Sequence, residues 1–104
     1  MNDYDVVITE VAQQDLREII GAILKVFKNV LLAQKSITKI GLAISNLEKA
    51  PFGNYLVNDE RLVTMGIRKL MIDKYIVFFI ASEKDKSVSV VRIIHDQRYW
   101  VGLI

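Results

Sequence analysis

The chain has no cysteine and only one proline, one histidine and one tryptophan among its 104 residues. Without cysteine there is no disulfide framework and no thiolate chemistry, and a lone histidine excludes the usual structural zinc sites, so we expect neither metal nor cofactor. The most apolar run, YIVFFIA at 75–81, is far shorter than a membrane span, and the acidic, polar N-terminus is not a secretory signal. We therefore expect a cytoplasmic protein that does not act on membranes.

A strong charge of either sign is also missing, because the formal net charge is only +2. Residues 1–50 carry six basic and six acidic side chains, whereas residues 61–104 carry eight basic and four acidic ones. The basic C-terminal part fits a surface that faces phosphates or an acidic partner, and equally an ordinary solvated surface. The length and an apolar content of 52% predict one domain, residues 1–104, with its own core.

The first half of the chain predicts one strand followed by two helices. Residues 4–8 alternate as a strand does, and Thr9 is a suitable N-cap for a helix with apolar residues spaced along 16–27. The pattern restarts near Asn29, and a second apolar stripe covers 30–47 until the KAPFG sequence stops it. We predict two antiparallel helices, because one rod of about forty residues would be unusual in so small a domain.

The stretch ILKVFKNVLLA at 23–33 is apolar with interspersed lysines, a composition also found in membrane-binding helices. The apolar stripe continues through both predicted helices, which is what a helical hairpin facing a core requires. We therefore interpret this stretch as part of the core and not as a membrane-binding segment.

The second half predicts three strands after a loop. Residues 67–72 are joined by the two-residue turn Asp73-Lys74 to residues 75–81, which are apolar on both faces as in a central strand, and 87–94 form the last strand. The element order is then β-α-α-β-β-β. This order predicts an α+β fold in which a helical hairpin packs on one face of a small antiparallel sheet.

Residues with site chemistry crowd together in SVVRIIHDQRYW at 89–100. On an ideal strand Arg92 shares a face with Val90 and Ile94, which suits either a binding residue or a partly buried arginine paired with Asp96 or Asp73. His95, at the strand end, suits either an acid–base role or a structural hydrogen bond.

The ordered segments of the chain resemble the RelE/ParE superfamily of bacterial toxins from type II toxin–antitoxin modules. The resemblance covers nearly the whole chain: ITEVAQQDLREII with its Ala12-x-x-Asp15-Leu16 spacing, SNLEKAPFG, GIRKLMIDKYIVFFI and VSVVRIIHDQRYW. It implies a small growth-inhibiting protein, of the kind associated with plasmid stabilization, that is neutralised by a cognate antitoxin. Operator DNA would be reached only through that antitoxin.

The superfamily has two branches with different targets. RelE-like members are ribosome-dependent mRNA endoribonucleases, whereas ParE-like members inhibit DNA gyrase and are not known to cleave RNA. Cleavage through the 2′-hydroxyl needs a base, an acid and cations that stabilise the phosphorane. RelE-like sites place an arginine where this chain has Ile76, and their C-terminal tyrosine has no clear match, since Tyr99 is out of register. We therefore favour the ParE-like function, with RelE-like cleavage as the alternative.

The resemblance also suggests roles for individual residues. If the chain is RelE-like, His95 and Arg98 would be catalytic, since Arg98 corresponds to the later arginine of the family motif. Tyr99 and Trp100 would stack on nucleobases, or else fold back onto the sheet or contact the antitoxin. A third possibility is a decayed toxin that retains only antitoxin binding. The residues predicted to bind the target or RNA are Arg68, Lys69, Arg92, Tyr99 and Trp100.

Overall fold

The computed structural model describes residues 3–53, 55 and 57–96. It confirms the predicted order of one strand, two long helices and three strands, and adds a short helix in the segment interpreted as a loop. None of the helices in the described part of the chain is long and apolar enough to cross a membrane. The elements are β1 (Asp5–Ile8), α1 (Glu10–Phe27), α2 (Val30–Ser45), a single 3-10 turn (Asn46–Glu48), α3 (Glu60–Thr64), β2 (Ile67–Ile72), β3 (Tyr75–Ser82) and β4 (Ser87–His95).

The two long helices begin and end at residues with clear local reasons. The Thr9 side chain accepts a hydrogen bond from the Ala12 N–H at 3.2 Å, as an N-cap does. Helix α1 ends at Lys28, whose backbone is left-handed with φ 50° and whose N–H donates to the carbonyl of Leu24. The Asn29 side chain then caps α2, so only two residues separate the helices, as predicted.

The four strands form one sheet in the order β1-β4-β3-β2. The predicted antiparallel pairs β2–β3 and β3–β4 are confirmed, with Asp73 at φ 52° in the first turn. Strand β1, however, pairs parallel with β4, so the sheet is mixed and not wholly antiparallel. The physical reason is that the three-strand meander fixes the direction of β4, and the long connection through both helices lets β1 join its free edge in parallel.

The core lies on both faces of the sheet. On one face, buried residues of β3 and β4 pack with residues of both long helices, including Ala12, Ile40 and Phe79; we call this the helix-side core. On the other face a second core contains Leu62 of α3, which is fully buried. Helix α3 is only five residues long, too short to show a periodic pattern, which is why the sequence predicted a loop there. The buried residues of this second core are Val57, Leu62, Ile67, Ile76, Phe78 and Ile94.

A β-bulge changes the side-chain directions in β4. Phe78 is paired with Arg92 and Phe79 with Val90, so Val91 is an extra residue in β4. An extra residue shifts the alternation by one position. Val90 therefore packs in the helix-side core but Ile94 in the second core, and the prediction that Arg92 shares one face with both is wrong.

Candidate functional site

The best-defined polar contact at the end of β4 is a two-point ion pair. The Arg92 guanidinium donates from Nε to Oδ2 of Asp15 at 2.8 Å and from Nη2 to Oδ1 at 2.9 Å. The same carboxylate accepts the backbone N–H of Ile93 at 2.9 Å. Arg92 is thus partly buried and paired with a carboxylate, but the predicted partners Asp96 and Asp73 are wrong. The partner lies 77 residues earlier in the chain.

The length of β1 explains why this partner comes from α1. Strand β1 ends where Ile8 pairs with Val90, and no strand of the described part of the chain continues along that edge of β4. The backbone N–H and the hydroxyl of Thr9 both donate to the Val90 carbonyl, at 3.1 and 2.9 Å. Asp15 then accepts from the Ile93 N–H, so polar residues of α1 take the place of a neighbouring strand.

Burial and charge make the Asp15–Arg92 pair a structural contact. Asp15 is only 5% exposed, and the side chain of Arg92 is 18% exposed. Hydrogen bonding to Asp15 raises the pKa of Arg92 above its usual value, which keeps the guanidinium charged. Asp15 thus occupies the Nε/Nη2 edge of the guanidinium, so a phosphate could use that edge only by displacing Asp15.

His95 lies at the end of β4 on the helix side of the sheet. It is paired with Tyr75 across the strands, and the two rings meet edge to face with centroids 5.4 Å apart. Its Nδ1 is 3.4 Å from a carboxylate oxygen of Asp96, and its side chain is 41% exposed. His95 is therefore accessible and next to a carboxylate, an arrangement that can orient an imidazole as a general base.

The cavity beside His95, about 270 Å³ in volume, is lined by apolar side chains and by two carboxylates, those of Asp15 and Glu18. Among the described residues that line it, none is a lysine or an arginine. An RNA phosphate placed there would meet the Glu18 carboxylate and no described lysine or arginine, whereas transition-state stabilisation requires cations. The lining residues are Asp15, Glu18, Ile19, Ala22, Tyr75, Ile93, Ile94 and His95.

Arg68 and Lys69, two further predicted cations within the described residues, lie away from His95. The Arg68 guanidinium carbon lies 5.0 Å from the centroid of the Phe52 ring, in a cation–π contact. Lys69 is paired with Phe78 of the second core, on the opposite face. Arg68 is paired with Phe79 and His95 with Tyr75, so the two rows are four residues apart, roughly 13 Å along the strands. Arg68, Lys69 and Arg92, the predicted cations that the structure describes, are thus divided between two faces and two ends of the sheet.

Ile76, at the position to which the resemblance assigns an arginine in RelE-like sites, is a core residue. It is 5% exposed and belongs to the second core, paired with Met71 on one side and Ile94 on the other. The side chain of His95 lies on the opposite face, against the helices. The residue that the resemblance puts in place of that arginine is therefore a buried hydrocarbon that does not face His95.

Three of the predicted site residues, Arg98, Tyr99 and Trp100, lie outside the residues that the structure describes, so their roles stay predictions. Within the described residues, no group of three or more His, Asp or Glu side chains is placed to hold a metal ion. Sequence reasoning missed the contact made by Asp15, although the Ala12-x-x-Asp15-Leu16 spacing stood out. An acidic residue one turn from a fully buried alanine, on the apolar side of a helix, is the signal that marks it.

Comparison with solved structures defines the class of the fold. The chain is similar to a structure titled "Chromosomal ParDE TA system from P. aeruginosa", with a TM-score of 0.74, 18% identity, and coverage of 91% of this chain and 98% of that one. It is also similar to the RelBE2 toxin–antitoxin complex from Mycobacterium tuberculosis, with a TM-score of 0.58, 18% identity, and coverage of 89% and 98%. The chain shares the fold of these two structures and is closer to the ParDE structure.

The family follows from the sequence itself. A family profile described as "ParE toxin of type II toxin-antitoxin system, parDE" matches residues 6–100, which is most of the chain. A search of curated proteins finds no significant match. The chain belongs to the ParE toxin family of type II toxin–antitoxin systems.

Proposed function

We propose that this ParE-family toxin inhibits growth by binding DNA gyrase through protein–protein contact, and that it does not cleave RNA. Both partners of such a toxin, gyrase and the antitoxin, are met in the cytoplasm. The supporting observation is the chemistry around His95. Among the residues that the structure describes, the cavity beside it is lined by Asp15 and Glu18 and by no lysine or arginine, and the position that the resemblance assigns to the arginine of RelE-like sites is the buried Ile76.

A cognate antitoxin is the second partner in this proposal. The two similar structures are titled as toxin–antitoxin systems, one a ParDE system and the other a RelBE2 complex. Antitoxin binding would neutralise the toxin, and operator DNA would be contacted only through the antitoxin. Co-expression with the product of a short neighbouring reading frame should restore growth and yield a complex that co-purifies.

A supercoiling assay tests the proposed target. Purified toxin added to purified gyrase and relaxed plasmid should reduce the yield of supercoiled DNA in proportion to its concentration. His95→Ala is the informative variant, because a toxin that binds gyrase by contact should retain most of its inhibition without this imidazole. No inhibition at a large molar excess of toxin would contradict the proposal.

The RelE-like alternative has one specific observation in its favour, the Nδ1 of His95 at 3.4 Å from Asp96. Such a pair can orient an imidazole as a base. If this reading holds, primer extension on mRNA after induction will show cuts phased to codons, and His95→Ala and Arg98→Ala will abolish them. If both variants remain fully toxic and no cuts appear, the alternative fails.

A further inference from the structure

The cavity beside His95 is formed between one face of α1 and the end of the sheet. Buried side chains of β4, Ile93 among them, and the ring of Tyr75 supply the walls on the sheet side. Because Ala22 has only a methyl group, it leaves room between the helix and the strands. The α1 residues that line the cavity are three or four positions apart, as on one helix face: Asp15, Glu18, Ile19 and Ala22.

The size of the cavity suits one side chain. Its volume of about 270 Å³ lies just below the range of roughly 300–1,000 Å³ that is typical of pockets for drug-sized ligands. It therefore fits a single long side chain better than a nucleotide. The apolar part of its wall, with Ile19, Ala22 and Ile93, suits a hydrocarbon stem.

The charge at the cavity is negative. Asp15 is neutralised by its ion pair with Arg92, so Glu18 supplies the carboxylate that remains. Glu18 is exposed, and no residue that the structure describes forms an ion pair or a hydrogen bond with it. Asp96 adds another carboxylate, 3.4 Å from the Nδ1 of His95. The cavity would therefore attract a cationic group and repel an anion.

Arginine and lysine side chains combine the two properties that the cavity requires, an apolar stem and a cationic end. The stem would lie against Ile19 and Ile93, with the cation beside Glu18. The ring of Tyr75 lines the cavity and can also attract a cation through its π face. A free amino acid fits less well, because its α-carboxylate would enter negatively charged surroundings, whereas in a protein that group is part of a peptide bond.

We infer that the cavity beside His95 binds a single arginine or lysine side chain of a partner protein. Glu18 binds the cationic end, and Ala22 leaves the space that the stem occupies. The inference holds whether or not gyrase is that partner, since it depends only on the size, the walls and the charge of the cavity.

The test uses the full chain, isotope-labelled for NMR, and two probes, arginine and citrulline, each acetylated at its α-amino group and methylamidated at its carboxyl group. Citrulline is a neutral near-isostere, in which an oxygen replaces one nitrogen of the guanidinium. Blocked arginine should bind at least about fivefold more tightly than blocked citrulline, because only arginine is charged. The amide shifts should centre on Ala22 and His95, and the affinity should fall as salt is added.

Two pairs of variants locate the binding. Glu18→Gln should weaken the binding of blocked arginine about fivefold or more, whereas Glu10→Gln, on the same helix but outside the cavity, should change it less than about twofold. Ala22→Leu should fill the cavity and abolish binding. Gly21→Leu is its control and should still bind, because a Cβ at Gly21 meets no atom within 4 Å and residue 21 does not line the cavity. Circular dichroism of every variant verifies the fold.

Two further measurements identify the source of the cation. Agmatine carries the same guanidinium without a peptide backbone, so binding of agmatine with none of blocked arginine would assign the cavity to a free amine. A gain of about tenfold or more in the affinity of Arg98→Ala for blocked arginine would show that this arginine of the chain itself occupies the cavity. Either result would overturn the inference.

Equal affinity for blocked arginine and blocked citrulline, equal losses in Glu18→Gln and Glu10→Gln, or unchanged binding in Ala22→Leu would also overturn it. None of these results depends on supercoiling, so failure here and failure of the proposed gyrase target can be told apart.

Discussion

The two halves of α1 carry the same apolar spacing but have opposite surroundings. In the first half, Ala12 is fully buried and Asp15 holds the edge of β4 through Arg92 and Ile93. In the second half only Ile23 is buried, and the residues after it project into solvent. The same contrast divides α2, where Ile40 is buried but Leu31 is exposed.

This contrast separates residues that stabilise the fold by burial from residues that remain exposed to solvent. Burial of a large aliphatic side chain contributes about 2 kcal/mol to stability, so the sheet-side halves of the helices stabilise the domain. The hairpin tip, residues 24–32, keeps its apolar surface in water and adds little to stability. The interpretation of this stretch as core is therefore wrong. Substitutions in the hairpin tip should therefore change the free energy of unfolding only slightly.

The largest expected difference comes from truncating one aliphatic residue in each half of α2. Ile40→Ala should reduce the free energy of unfolding by about 3 kcal/mol, because it opens a cavity in the helix-side core. Leu31→Ala should change it by less than about 0.5 kcal/mol, because this side chain is already in water. Urea denaturation followed by circular dichroism measures both. Similar losses in the two variants would mean that the hairpin tip is packed.

The next largest effect is expected from breaking the polar contact between α1 and β4. Asp15→Ala leaves the Arg92 guanidinium and the Ile93 N–H without their shared acceptor, so we expect a loss of about 2–3 kcal/mol. This expected loss of stability is small for the breaking of a buried ion pair, because the Arg92 side chain remains accessible to water. Glu18→Ala, one turn further along the exposed side, is the control and should cost less than about 0.5 kcal/mol. Equal losses in the free energy of unfolding for the two variants would contradict the structural role of Asp15.

The smallest effect should appear in alkaline solution. Burial, and then the nearby Asp73 carboxylate, raise the pKa of Tyr75 above its usual value. A raised pKa in the folded state favours the neutral phenol, so this stability is present below a pH of about 10 and is lost as pH rises towards the folded pKa. Stability measured across that range should decline less in Tyr75→Phe than in the unchanged chain. An identical decline would show that Tyr75 does not contribute to it.

Predictions from local pattern held where neighbouring residues decide the structure. The cap at Thr9, the restart at Asn29 and the two-residue turn after β2 all follow from side chains within a few positions. Predictions failed where distant segments meet. The bulge at Val91 reversed the expected face of Ile94, and the partner of Arg92 came from the first helix.

The candidate site divided in the same way. The sequence predicts that His95 lies at the end of a strand. It does not predict that Asp15 and Glu18 of α1 line the cavity beside it, because these residues are distant in the chain. The sequence shows isoleucine at position 76, where the resemblance to RelE-like sites implies an arginine. Only the tertiary structure shows that Ile76 is packed in the second core with Leu62 of α3. Arg98, Tyr99 and Trp100 stay as predictions for the C-terminal residues.

By itself the sequence determined the number and order of the main elements, the helix caps, the membership of the ParE toxin family and the lack of acidic residues between Ile19 and Leu47. These properties depend on residue types and on short spacings along the chain. The tertiary structure decided the parallel pairing of β1 with β4 and the ion pair between Asp15 and Arg92. It also decided that one amphipathic stripe is half core and half exposed surface, because only the relative lengths of helices and sheet determine where burial stops.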